Sequence, residues 1–169
     1  MSMEEKQNFP ISQDFNISYP KKEKEVSDIV KKLYKSNVPI EVIGSGSKRN
    51  IGKPLQCGKT LNLSKLDGIV EYLPEELYIK VKAGTRIDKI ENELKKNKQQ
   101  LAFEPIDFGY LFTGESDCGT AAGQVACNIS GPRRFKAGST RDHILGFRAV
   151  NGRGEIIKSG GTVVKNVTG

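Results

Sequence analysis

The sequence predicts an α+β fold of short strands, amphipathic helices and glycine-rich loops. Three observations carry that reading. Apolar residues recur at helical spacing in two charged segments. Short β-branched runs stop at Gly or Pro. The 18 Gly among 169 residues cluster between those runs rather than scattering.

Residues 1–18 read as a polar lead-in. After Pro20, Val26, Ile29, Val30 and Leu33 fall at i, i+3, i+4 and i+7, one face of an amphipathic helix with its lysines on the wet side. Pro39–Ile43 reads as a strand running into Gly44-Ser45-Gly46-Ser47-Lys48, and Thr60–Leu63 as a second strand. Ile69–Tyr72 and Leu77–Lys82 pair as strands about the turn signal Pro74-Glu75-Glu76. Thr85, with Asp88 three residues on, resembles a capping box and opens a helix whose buried face is Ile87, Ile90 and Leu94. Leu101–Phe103 is a short apolar run before Pro105. The stretch from Gly109 to Gly138 is loop-rich, with one short helix of small residues over Thr120–Asn128. Ile144–Val150, the turn Asn151–Gly154 and Glu155–Ile157 form a hairpin, and Gly160–Gly169 adds no terminating element.

Composition excludes several classes. The longest uncharged stretch, Cys118 to Pro132, is too short and too polar to span a bilayer. The N-terminus has no apolar core of a secretory signal. Three Cys without a CxxC support neither a disulfide framework nor a zinc site, so no metal is expected and a reducing, cytoplasmic compartment fits. A net charge of +7 suits phosphorylated ligands, but also a merely solubilising surface. The basic loop Gly131–Lys136 has one aromatic, Phe135, which makes no stacking platform, so nucleic acid is not an expected partner.

Two glycine loops, 44–52 and 119–123, are candidate anion sites. Glycine lets a backbone approach closely and aim several N–H groups at one oxygen cluster. An ordinary tight turn is the alternative for each. The first loop fails both common nucleotide motifs. Arg49 stands where a dinucleotide fingerprint needs its third Gly, and Pro54 stands where a Walker loop needs Ser or Thr, at a spacing one residue too long. No GxSxG elbow exists, and the single imidazole, His143, sits beside Arg141 and Asp142 in a structural rather than catalytic setting. No catalytic residue is assigned.

Taken in order, Tyr19-Pro20, Ile40–Ser47, Val81–Thr85, Gly119–Ala126, Asn128–Gly131, Gly138–Gly146 and Gly160–Gly169 resemble the FAD-binding domain of the p-cresol methylhydroxylase/vanillyl-alcohol oxidase superfamily. Gly131-Pro132-Arg133-Arg134, the Gly-Ser-x-Arg-Asp run at 138–142 and the Lys-Asn-Val-x-Gly ending at 165–169 are similar, more narrowly, to FAD-binding subunits of bacterial glycolate oxidases.

The resemblance implies a two-lobed FAD-binding domain over 19–169, the first lobe about 19–84 and the second about 85–169, C-terminally incomplete with its final strands missing. FAD would lie between the lobes. Gly44, Ser45, Gly46, Ser47 and Lys48 would hold its diphosphate, and Gly119, Thr120, Ala121, Ala122 and Gly123 would close over the same phosphates. Asn128 belongs to the same site, Gly138, Ser139 and Thr140 would lie along the flavin, and Ile156 would meet the nucleotide through its backbone. Arg141 and Asp142 are expected to pair and brace their loop. The first loop has no His, which implies noncovalent FAD. The implied activity is a flavin-dependent 2-hydroxyacid oxidoreductase oxidising glycolate to glyoxylate. It would act with other subunits of a glycolate oxidase-like complex, in the cytoplasm and peripheral to the inner membrane through those partners. A noncatalytic nucleotide-binding or assembly subunit of a redox complex is the alternative.

Overall fold

The computed structural model describes residues 16–161 apart from Pro54, Thr113 and Cys118. Most of the polar lead-in and the Lys165–Gly169 motif lie outside the described residues.

Strand β1 (Ile17–Ser18) leads into helix α1 (Glu23–Lys35), and β2 (Ile40–Ile43) and β3 (Lys59–Asn62) follow. These strands form a parallel sheet in the order β1-β3-β2, with Ile17 opposite Thr60 and Ile40 opposite Lys59. The strand at Ile17-Ser18 shortens the expected lead-in. Two residues carry no periodic pattern of their own, and their partner β3 lies far along the chain. In α1, acidic Glu23 and Glu25 occupy the first turn and Lys32 and Lys35 the last, which complements the helix dipole. Its apolar stripe packs Val26 and Val30 on Leu61 of the central strand, with Ile29, Ile40, Leu63, Leu66 and Val150 around them.

Strands β4 (Ile69–Leu73) and β5 (Tyr78–Val81) form the expected antiparallel hairpin about a 3₁₀ turn at Pro74–Glu76. Helix α2 (Ile87–Lys96) buries Ile87, Ile90 and Leu94 against Tyr72, Ile79, Val81, Leu101 and Ala121. It starts one residue later than the capping box expected, with Arg86 rather than Thr85 at the cap position. Thr85 is fully buried and does not cap: its hydroxyl donates to Gly68 O (3.1 Å) and accepts from Gly68 N–H (3.0 Å). A tertiary partner outcompetes the local cap.

Three short helices follow: α3 (Gly109–Phe112), α4 (Ala121–Cys127) and α5 (Arg134–Ala137). A 3₁₀ turn at Thr140–His143 then leads into the hairpin of β6 (Gly146–Val150) and β7 (Ile156–Gly160). This hairpin lies on α1. The buried Ser27 hydroxyl donates to Gly154 O (2.6 Å), and Arg148 makes a bidentate pair with Glu23. Both apolar clusters therefore draw on residues before and after position 85. Among the described residues no helix is long and apolar enough to cross a membrane.

Candidate functional site

Because β2 and β3 are adjacent and parallel, the connection between them must leave the carboxyl end of β2 and return to the far end of β3. Loop 44–48 is the first part of that return. It therefore projects from the carboxyl edge of a parallel sheet, where open α/β sheets usually take their ligands.

The second loop comes to meet it. Arg86 and Thr120 form an isolated antiparallel bridge, with Ile87 N–H donating to Gly119 O (3.1 Å) and Ala121 N–H to Thr85 O (2.8 Å). Ala122 N–H donates to Ala83 O (3.0 Å). These bonds tether the start of α4 to the segment between β5 and α2, and they aim Thr120 at the first loop. A Cβ added to Gly44 would lie 2.2 Å from Thr120 Oγ1, and one added to Gly119 would lie 3.0 Å from Ser47 Oγ and 3.1 Å from Lys48 Nζ. Residues some 75 positions apart thus share one cleft, and the close approach needs glycine on both sides.

The contents of that cleft are unspent polar groups. The N–H groups of Ser45, Gly46, Ser47 and Lys48 donate to no acceptor among the described residues. Ser45 Oγ is buried without a partner there, although buried hydroxyls are nearly always bonded. Lys48 Nζ reaches Ser47 Oγ at 3.5 Å and stands 5.6 Å from the Phe108 ring centroid, and no carboxylate among the described residues pairs with it. Consecutive free amides, an unpartnered hydroxyl and an unneutralised ammonium are what a compact polyanion requires. The division of labour between the loops is uneven. Gly119 N–H donates to Asp117 Oδ1 (2.7 Å), and the amides of Ala121 and Ala122 are already spent on Thr85 O and Ala83 O. The first loop supplies donors, and Gly119, Thr120 and Gly123 supply a wall of small residues beside them.

Asp107 shapes the approach to this wall. Its carboxylate accepts from Ser116 Oγ (2.6 Å) and from the N–H groups of Gly109 and Asp117 (2.8 Å each). The Ser116 hydroxyl and these amides hold its pKa below the usual carboxylate value. Asp117 in turn pairs with Arg86 (3.2 Å). Nothing in the sequence marks Asp107, since its partners are the Ser116 hydroxyl and backbone groups of an irregular loop.

The remaining expected site residues form a second constellation. Asn128 ends α4 in a left-handed conformation, and its Oδ1 accepts Arg141 N–H (3.1 Å). Thr140 N–H donates to Ser130 Oγ (2.9 Å), and the Thr140 hydroxyl donates to Ile129 O. Asp142 accepts both the N–H (2.7 Å) and the hydroxyl (2.8 Å) of Ser139, and these bonds lower its pKa. The expected Arg141–Asp142 ion pair is absent, because Ser139 at the cap of the 3₁₀ turn takes the carboxylate first. Arg141 instead lines a cleft of about 420 Å³ with Asn128, Ile144, Leu145 and Phe147. Ile156 sits in β7 opposite Val150, at the end of the hairpin carried by α1. His143 Nε2 is bonded to Ala137 O (2.8 Å) and its ring lies 6.1 Å from that of Phe103. No group of three or more His, Cys, Asp or Glu among the described residues is placed to hold a metal ion.

A family model described as "FAD binding domain" matches residues 16–160. The glycolate oxidase subunit GlcE of Escherichia coli is 39% identical over 140 residues, covering 83% of this chain and 38% of that protein. A D-lactate dehydrogenase of Anaerostipes hadrus is 31% identical over 150 residues, covering 86% of this chain and 29% of that protein. This chain thus spans well under half the length of these relatives. Two solved structures share the fold. An alkyldihydroxyacetonephosphate synthase superposes with a TM-score of 0.66 at 20% identity, covering 89% of this chain and 27% of that one. p-Cresol methylhydroxylase with substrate bound gives 0.60 at 20% identity, covering 85% and 27%. With the family model spanning nearly every described residue and the same fold in p-cresol methylhydroxylase, the chain belongs to the FAD binding domain family, and FAD is its cofactor.

Proposed function

We propose that this chain is the FAD-holding part of a flavin-dependent oxidoreductase acting on a small 2-hydroxyacid, with glycolate oxidised to glyoxylate. The observation that carries the reading is the cleft between the loops: the amides of Ser45–Lys48, the orphaned Ser45 Oγ and Lys48 Nζ facing Gly119 suit the diphosphate of FAD. When bound, the flavin supplies the redox chemistry, and the protein binds, orients and shields it. On this reading Ser45 and Lys48 anchor the diphosphate and Thr120 closes the cleft. Asn128 and the Gly138–Asp142 turn line the path towards the isoalloxazine. The first loop offers Ser and Lys but no His, so the cofactor is held noncovalently. The 2-hydroxyacid assignment follows the relatives, two glycolate oxidase subunits and a D-lactate dehydrogenase, and the subunit status of the first two supports assembly with further chains. On this reading the assembly works in the cytoplasm, at the inner membrane through those partners.

The test is reconstitution. The full 169-residue chain, mixed with FAD and passed over a desalting column, should stay yellow. Acid precipitation should then release the flavin into the supernatant. Colourless protein after desalting would refute the cofactor site, and colour that stays in the precipitate would refute noncovalent binding. For substrate, the FAD-loaded protein, assembled with its partner subunits, should bleach with glycolate or D-lactate under anaerobic conditions. Bleaching by neither would refute the 2-hydroxyacid assignment.

A further inference from the structure

Arg49, the residue that breaks the dinucleotide fingerprint, has a structural partner in Glu41. Glu41 lies on β2 opposite Thr60, and alternation along the strand puts both on the sheet face away from the one Leu61 lends to α1. A carboxylate there is 6% exposed, which is costly without compensation. The compensation comes from the loop. Arg49 Nε donates to Glu41 Oε1 (2.9 Å), Arg49 Nη2 to Oε2 (2.8 Å), and the Thr60 hydroxyl also to Oε2 (3.1 Å). This is a bidentate guanidinium–carboxylate pair, which fixes orientation as well as distance.

The pair closes a ring around the donor loop. The chain leaves β2 at Ile43, runs through Gly44–Lys48, and is pinned at Arg49 to a side chain two residues before the strand's end. Within that ring a turn bond, Arg49 N–H to Gly46 O (2.9 Å), adds a second restraint, while the amides of Ser45–Lys48 donate to no acceptor among the described residues. We infer that Glu41 and Arg49 are positioning residues for the FAD diphosphate: their bidentate pair, anchored on a buried carboxylate, holds loop 44–48 in the curvature that presents its amides, without either side chain needing to touch the ligand. The inference rests on the diphosphate reading above. It also gives Arg49 and Lys48 opposite tasks. Arg49 is neutralised on a carboxylate, while Lys48 is left free for the anion.

The test compares FAD affinity of the full chain with that of Arg49→Lys, Arg49→Met, Glu41→Gln and the double variant Glu41→Gln/Arg49→Met. Flavin fluorescence is titrated at a temperature where circular dichroism shows each variant folded, and amide hydrogen exchange is followed without FAD. Each single variant should bind FAD about tenfold more weakly, since small misplacements of preorganised groups cost this much or more. Arg49→Lys, which keeps the charge but loses the fork, should be included in that loss. The double variant should bind no worse than the poorer single, as expected of a pair acting as one unit. Exchange should accelerate at the Arg49 amide, which the turn bond to Gly46 O protects, while the α1 amides of Val26 and Val30 keep their protection. A merely structural pair would loosen both regions alike and leave affinity in the folded population unchanged, and that result would overturn the inference, as would additive losses in the double variant. Should Arg49→Met fail to fold, Arg49→Lys and Glu41→Gln decide the matter. Failure of the unmodified chain to bind FAD would overturn the diphosphate reading and this inference together. Tight binding by the parent and all variants would overturn this inference alone.

Discussion

Adding one methyl group at Gly44 probes the convergence of the two loops. Gly44 does not have a positive φ, so alanine there meets no backbone penalty and the cost comes from contact. The new Cβ would lie 2.2 Å from Thr120 Oγ1, 2.9 Å from Cγ2 and 3.1 Å from Cβ. Overpacking of this kind costs about 1–3 kcal/mol. For a chain of this length, each kcal/mol shifts Tm by about 2–4 °C. Gly44→Ala should therefore lower Tm by roughly 2–12 °C. Relief requires the loops to part, so FAD affinity should fall at least about tenfold. The assay pairs a thermal melt with a flavin fluorescence titration. Thr120→Ala removes the two nearest atoms and leaves a Cβ at 3.1 Å, a gap closable by a few tenths of an ångström. The double variant should accordingly regain most of the lost Tm. An unchanged Tm in Gly44→Ala, or no recovery in the double variant, would refute the packing of the loops against each other.

Four further outcomes follow from the same geometry. Lys48→Met should weaken FAD binding about tenfold or more by removing a charged donor, and should flatten its salt dependence; unchanged affinity in a titration would place the diphosphate elsewhere. Gly46 has φ +88° and nothing within 4 Å of an added Cβ, so Gly46→Val strains the loop and fills the cradle rather than the protein interior. It should abolish FAD retention on a desalting column. Arg141→Ala removes a side chain with no ion pair among the described residues, so its melting free energy should stay within about 0.5 kcal/mol of the parent, checked by denaturant titration. The folded pKa of Asp142 is depressed by Ser139, so its carboxylate stabilises the fold above the unfolded value of about 3.9 and loses that contribution as pH falls through the depressed value. The Tm gap between the parent and Asp142→Asn should be full at neutral pH and close below about pH 4; a gap that stays constant down to pH 2 would contradict it.

The sequence made visible those parts of the fold whose signal is local. The i, i+3, i+4, i+7 stripe of α1 and the apolar triad of α2 fix helix faces, and β4–β5 and β6–β7 announce their turns through Pro74-Glu75-Glu76 and Asn151-Gly152. What escaped is nonlocal. Strand β1 exists because β3 offers it a ladder, and the Thr85 hydroxyl is drawn to Gly68 instead of capping α2. The loops holding the candidate site were legible as glycine clusters, but not the spending of their amides. The carbonyls of Thr85 and Ala83 consume donors at Ala121 and Ala122 that composition alone suggests are free. The Arg49–Glu41 clamp spans a turn and a sheet register, and neither residue type nor spacing betrays it.

The central claim is that loop 44–48 and Thr120 embrace one diphosphate. It is tested most directly by titrating FAD into the isotopically labelled chain and following backbone amide resonances. The account predicts saturable shifts at Ser45, Gly46, Ser47 and Lys48 together with Thr120, reproduced in part by ADP, which carries the diphosphate without the flavin. Shifts confined to the lysine-rich face of α1 or to the basic turn at Arg133–Lys136, with residues 45–48 unmoved, would contradict it.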